Sequence, residues 1–171
     1  MSNGVYYDLI GATQIMSQYV TVDGVRYRQG IPLTTPSGIA YTYNSGTMLS
    51  GGADLYSLTK DETYLSDIKS LTQATFSVFA QKDAAREGYY SYPLDGFSTW
   101  FNDVLMRGYL AGYEFDPNAS LPLSTFQDNL DYAYANYLYR GMLPTSLLVG
   151  WSKTTSNNNT EAMFEFAFAS E

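Results

Sequence analysis

Residues 40–65 read AYTYNSGTMLSGGADLYSLTKDETYL. Tyr41, Tyr43 and Asn44 open the stretch, and apolar Met48, Leu55 and Tyr56 recur at near-helical spacing through a Gly/Ser-tolerant segment that stops at Leu58-Thr59. A second helix start comes at once. Thr59 and Glu62 stand in the S/T-x-x-E relation of a capping box, so Thr59 is expected to cap the second helix while Glu62 reaches back to it. The unit is a helix, a tight turn and another helix.

Working outward, the second helix is expected over 61–79, with Leu65, Ile68, Leu71, Thr72, Thr75, Val78 and Phe79 on one buried face. Residues 81–92 (QKDAAREGYYSY) are polar and turn-like. A third helix is expected over 99–113, capped by Ser98, apolar at Phe101, Val104, Leu105 and Tyr109, and closed by Pro117. A fourth starts at the capping-box pair Ser124 and Gln127 and carries Phe126, Leu130, Ala133, Tyr134, Tyr137 and Leu138 to a stop at Arg140-Gly141. The last segment, 160–171, reads as a helix apolar on nearly every side, which is expected to pack on something or to continue. Upstream of the opening stretch, a short helix is expected over 8–16. Asp23-Gly24 between Thr21-Val22 and Val25-Arg26 predicts a small β-hairpin near residues 20–28, and Pro32 and Pro36 hold the chain extended. The expected fold class is all-α, built of helical hairpins in a single domain over 1–171.

Composition removes whole classes of chemistry. The 171 residues include neither cysteine nor histidine, which excludes a Ser/His/Asp triad, a Cys/His pair, the usual zinc ligands and any disulfide framework. No cofactor is expected. With 9 basic against 17 acidic residues and no basic stripe, nucleic acid is excluded as a partner. The longest uncharged runs are broken by prolines and polar residues, so no membrane span is expected. Carboxylates and tyrosines remain for acid/base work. Seventeen tyrosines offer flat apolar faces with a hydroxyl at the rim, which suits a cleft for a polar, flat-sided ligand and equally suits half-wet helix seams.

The order Tyr43-Asn44-Ser45-Gly46, Leu55-Tyr56, Thr59, Asp61, Tyr64-Leu65 resembles the TYNxG … LYxxTxDxxYL signature of glycoside hydrolase family 76, whose members are α-1,6-mannanases. Gly4-Val5-Tyr6-Tyr7-Asp8 resembles the segment that precedes this signature. Phe101 to Leu110 is similar to the family's later F-x-x-[IV]-x-x-R helix, and Asn129 to Tyr137 with Gly150-Trp151 is similar to the next helix of the family and its tryptophan. The resemblance implies about half of an (α/α)6 toroid, with inner and outer helices alternating around a cleft. It also implies a catalytic pair of adjacent aspartates upstream of these segments. This chain has no Asp-Asp dipeptide, so the resemblance implies a C-terminal part that supplies substrate-binding walls, is inactive alone, and works with the missing N-terminal half or a self-association partner.

On that reading the partner is α-mannan or a manno-oligosaccharide, and the setting is secreted, periplasmic or cell-surface, in a bacterium. Candidate substrate contacts are Asp8, Tyr41, Tyr43, Asn44, Trp100 and Arg107. Asp8 comes after two aromatics, and its bland alternative is an N-cap. Asn44 precedes a helix whose free N–H groups meet hydroxyls, and its bland alternative is again the N-cap. Asp103 and Arg107 form an i, i+4 acid-to-base pair that also reads as a structural bridge. A non-catalytic carbohydrate-binding module or a helical interaction domain would fit the same pattern.

Overall fold

The computed structural model describes residues 3–10, 19–28, 36–37, 39–83, 86–92, 101–138 and 141. In chain order they form β1 (Leu9–Ile10), β2 (Tyr19–Val22), β3 (Val25–Arg28), β4 (Pro36–Ser37), α1 (Thr42–Thr59), α2 (Glu62–Phe79), β5 (Gln81–Lys82), β6 (Tyr90–Ser91), α3 (Phe101–Tyr113) and α4 (Ser120–Tyr137). The strands make three antiparallel two-stranded ribbons, β1 with β4, β2 with β3 and β5 with β6. The architecture is all-α with small β decorations.

The expected hairpin is present. Asp23 and Gly24 both take positive φ, 51° and 79°, the two-residue turn that matches strand twist. Residues 9 and 10 are a strand, where local spacing predicts a short helix over 8–16; residues 11–18 lie outside the described set. Pairing with Pro36–Ser37 explains the difference, because a long-range ladder overrides a local pattern already weakened by Gly11. The polar segment after α2 likewise closes into the β5–β6 ribbon, through Asp83 and Arg86, whose side chains meet at 2.7 Å.

Between α1 and α2 the capping box does not form. Lys60 turns left-handed, with φ 57° and ψ 23°, and its N–H bonds the Tyr56 carbonyl. The N-cap is Asp61, whose carboxylate accepts from the Thr63 N–H at 2.9 Å. That backbone bond holds the Asp61 carboxyl below its ordinary pKa. Thr59 instead closes α1, donating to the Leu55 carbonyl and accepting from the Asp61 N–H, and with Lys60 in the αL region the N-cap falls two residues later than a capping box would put it.

The fourth helix also begins elsewhere than the sequence suggests. A 3-10 turn, Pro117–Ala119, leads straight into α4, and the Asp116 carboxylate accepts from both the backbone N–H and the side-chain amide of Asn118. Ser124 and Gln127 lie inside the helix, where Ser124 Oγ donates to the Leu121 carbonyl and Gln127 pairs with Asp131. Pro122 is compatible with this early start because a first-turn residue needs no N–H partner. Ser98, the expected cap of α3, and the whole 160–171 segment lie outside the described residues.

The core joins α1, α2, α3 and α4 through Leu49, Ala53, Ile68, Leu71, Leu105, Met106, Tyr109 and Phe126, with Tyr92 stacked on Phe126 at 4.1 Å. Val78 and Tyr134, placed on buried faces by their spacing, are exposed. The α1–α3 seam is the tightest contact. A Cβ on Gly46 would meet the Val104 carbonyl and lie 2.6 Å from Leu105 Cα, and one on Gly108 would lie 2.9 Å from both Gly46 Cα and Leu49 Cβ. Leu49 thus lies by Gly108 and Gly46 by Leu105, while Tyr56 meets the Phe115 ring at 5.1 Å. Neighbours advance in the same direction on both helices, so α1 and α3 run parallel and their N-terminal ends lie side by side.

Candidate functional site

Two parallel helix starts in contact lie side by side at one end of the molecule. At α1 the N-cap position is held by Tyr41, with extended φ −82° and ψ 149°, and no side chain caps the helix. Asn44 is therefore not the N-cap; it is the third helical residue. The Tyr43 and Phe101 rings join the two starts at 4.6 Å, and Tyr41 stacks on Tyr43 at 5.9 Å and edges onto Phe101 at 5.2 Å. The result is an aromatic ledge across the helix ends.

Three polar residues follow the ledge rings in these first helical turns. Asn44 is half-buried and Asn102 is 3% exposed, and the side-chain amide nitrogen of each is buried with no hydrogen-bond partner among the described residues. Such a donor costs on the order of 1–3 kcal/mol unless something outside the fold satisfies it. Asp103, also buried, has its carboxyl pushed up from 3.8 to about 7, because burial disfavours the charge more than Arg107 favours it. Arg107, exposed one turn further on, modulates this acid, yet the desolvation of Asp103 outweighs a simple surface bridge. A carboxyl half-protonated near neutral pH can both donate to and accept from a hydroxyl.

Of the residues singled out from sequence, Tyr41, Tyr43 and Asn44 come together here, with Arg107 on the adjoining turn. Asp8 does something else. Its carboxylate accepts from the Ile39 N–H at 2.8 Å while its own N–H donates to the Ile39 carbonyl, clasping the chain that leads into Tyr41. It caps no helix. Tyr6 adds a second strut, its N–H donating to the fully buried Ser45 hydroxyl. Trp100 lies outside the described residues. Asn102 escaped sequence reading: an Asn-Asp pair in a first helical turn reads as ordinary end polarity, and only the neighbouring helix start gives it another meaning.

Among the described residues, no three Asp or Glu carboxylates gather closely enough to hold a metal ion. None of the helices is long and apolar enough to cross a membrane, again among the described residues.

The fold is shared with solved structures. A glycoside hydrolase family 76 mannosidase, Bt3792 from Bacteroides thetaiotaomicron, superposes with a TM-score of 0.63 at 17% identity, over 80% of this chain and 37% of that one. A family 76 glycoside hydrolase from a bovine Bacteroides thetaiotaomicron strain gives 0.62 at 22% identity, over 80% of this chain and 30% of that one. The Lin0763 protein from Listeria innocua gives 0.58 at 14% identity, over 77% and 37%. The chain thus spans about a third of the length of these structures. No curated protein matches it in sequence. The family model of glycosyl hydrolase family 76 matches residues 6–167, nearly the whole chain, and with the parallel helix pair and its signature residues at one helix end the chain belongs to glycosyl hydrolase family 76.

Proposed function

We propose that this chain forms one wall of the substrate cleft of an endo-α-1,6-mannanase-type glycoside hydrolase. Its parallel helices α1 and α3 are read as inner helices of an (α/α)6 toroid, with α2 and α4 outside them, in one domain spanning 1–171. The observation that carries the reading is the pair of unsatisfied amides, Asn44 and Asn102, at adjoining helix starts beside the Tyr41, Tyr43 and Phe101 rings. Amide donors suit the oxygens of a manno-oligosaccharide, and ring faces suit its C–H groups. Arg107, exposed one turn beyond Asp103, is read as a further donor.

Hydrolysis of a glycosidic bond needs two carboxyl groups flanking it, one protonated and one ionised. We assign that pair to adjacent aspartates contributed by the remaining part of the toroid, so this chain alone binds without cleaving. Asp103 adds a protonatable hydrogen-bonding partner to the wall. The polysaccharide substrate implies a secreted, periplasmic or cell-surface setting.

The test is a proton NMR titration of linear α-1,6-mannotetraose with the chain. Broadened sugar lines without new anomeric signals are expected, and joining an upstream segment that bears the aspartate pair is expected to produce hydrolysis. New anomeric signals from the chain alone would overturn the assignment of the catalytic pair, whereas unchanged sugar lines with a folded chain would remove the binding wall itself.

A further inference from the structure

A second polar cavity lies away from the ledge. It occupies about 440 Å³ between α2 and the 3-10 turn that leads into α4, and its walls include Lys69, Thr72, Gln73, Phe76, Asp116 and Asn118. Asp116 lies just past the C-terminal end of α3, whereas Asn102 and Asp103 begin that helix, so the length of α3, about 20 Å at 1.5 Å per residue, separates the two places. They are distinct sites.

Thr72 marks this cavity as more than a surface dent. Thr47, Thr59, Thr75 and Thr125 each donate the hydroxyl back to the carbonyl four residues earlier, at 2.7–2.9 Å, as threonines inside helices commonly do. Thr72 does not. Its hydroxyl is buried, with the residue 2% exposed, and has no partner among the described residues, and the residue forms part of the cavity wall. A buried hydroxyl without a partner in the wall of a polar cavity marks a place where a ligand or ordered water is needed.

We infer that this cavity binds a neutral polyhydroxylated ring, one pyranose unit, as a second carbohydrate site. The wall chemistry selects the class. An anion would meet the buried Asp116 carboxylate and a cation would meet the Lys69 ammonium, whereas vicinal hydroxyls can accept from Lys69 and donate to Asp116 in two charge-assisted bonds. Gln73 and Asn118 offer amides that both donate and accept, and the half-buried Phe76 ring gives an apolar wall for ring C–H groups. Asp116 is held in place by its two bonds from Asn118, so the acceptor is preorganised. The volume falls within the usual range of about 300–1,000 Å³ for small-molecule sites.

The experiment is a titration of the isotopically labelled full chain with methyl α-D-mannopyranoside, tracking side-chain amide signals by heteronuclear NMR. Gln73 and Asn118 are expected to shift and saturate in the millimolar range. Thr72→Val should weaken that response about fivefold to tenfold, the worth of one hydrogen bond. Leu121→Trp, at a half-exposed wall position that tolerates bulk, should abolish it by filling the space. Both variants should leave any response of Asn44 and Asn102 intact, so this site and the ledge stand or fall separately. Gln73 and Asn118 signals that stay still through the tens of millimolar, or that move equally in both variants, would overturn the proposal and leave ordered water as the partner of Thr72.

Discussion

Two regions that bury polar groups, one midway along α3 and one at its start, treat them in opposite ways. Deep in the core, Tyr109 donates to Thr75 at 2.9 Å, Tyr92 reaches Tyr109 at 3.5 Å, and Thr75 passes its hydroxyl hydrogen to the Leu71 and Thr72 carbonyls. Burial pushes Tyr109 up to about 12 and Tyr92 upward as well, so both stay neutral and serve as packing with a polar tip. At the helix starts the amides of Asn44 and Asn102 are buried too, and left open. A satisfied network fixes the fold; an unsatisfied one at an aromatic ledge waits for hydroxyls from outside.

The comparison breaks most directly at the seam that brings the starts together. Gly46→Ala sets a methyl against the backbone of Val104 and Leu105, which cannot rotate away, and should cost about 3 kcal/mol or more in denaturant unfolding. Next comes Asp103, whose folded pKa of about 7 lies above the ordinary 3.8. The folded state then binds the proton more tightly, so stability falls as pH rises from about 4 to about 7, and the loss is complete above that window. Asp103→Asn should flatten this slope and stabilise the fold at pH 8 by about 2–4 kcal/mol, as read from melts across pH. An unchanged slope would mean that the acid is solvated and that the ledge is less dry than its burial implies.

Tyr109→Phe sharpens the other side. It leaves Tyr92 without its buried partner and should cost about 1–2 kcal/mol, with no change in affinity for mannotetraose. Smallest in stability are Asn44→Ala and Asn102→Ala. Each removes an unpaired donor and should move unfolding by less than about 0.5 kcal/mol, while weakening mannotetraose binding about fivefold to tenfold. A stability loss comparable to that of Tyr109→Phe would erase the contrast between the two regions.

Much of the frame was legible in the sequence. Periodicity gave α2 to within a residue, Asp23-Gly24 gave the hairpin, and Tyr43-Asn44-Ser45-Gly46 with its spaced partners gave the family. These depend on neighbours within a turn or two of the chain, where spacing translates directly into geometry. Helix starts were less faithful. Asp61 displaced Thr59 as a cap and α4 began at Ser120, because a left-handed Lys60 and a tolerated first-turn Pro122 are choices among nearly equal local options.

By itself, then, the sequence determined the helical class and the family, since each rests on local pattern. Tertiary structure alone decided that α3 runs parallel to α1 with two glycines in contact, that Asn102 and Asp103 thereby share one end of the fold with Asn44, that Asp8 serves the Ile39 backbone, and that Thr72 stands in a cavity wall. The physical reason is that burial and the lack of a partner belong to what surrounds a side chain, and those surroundings come from residues about 30 to 60 positions away along the chain, where helix period carries no information.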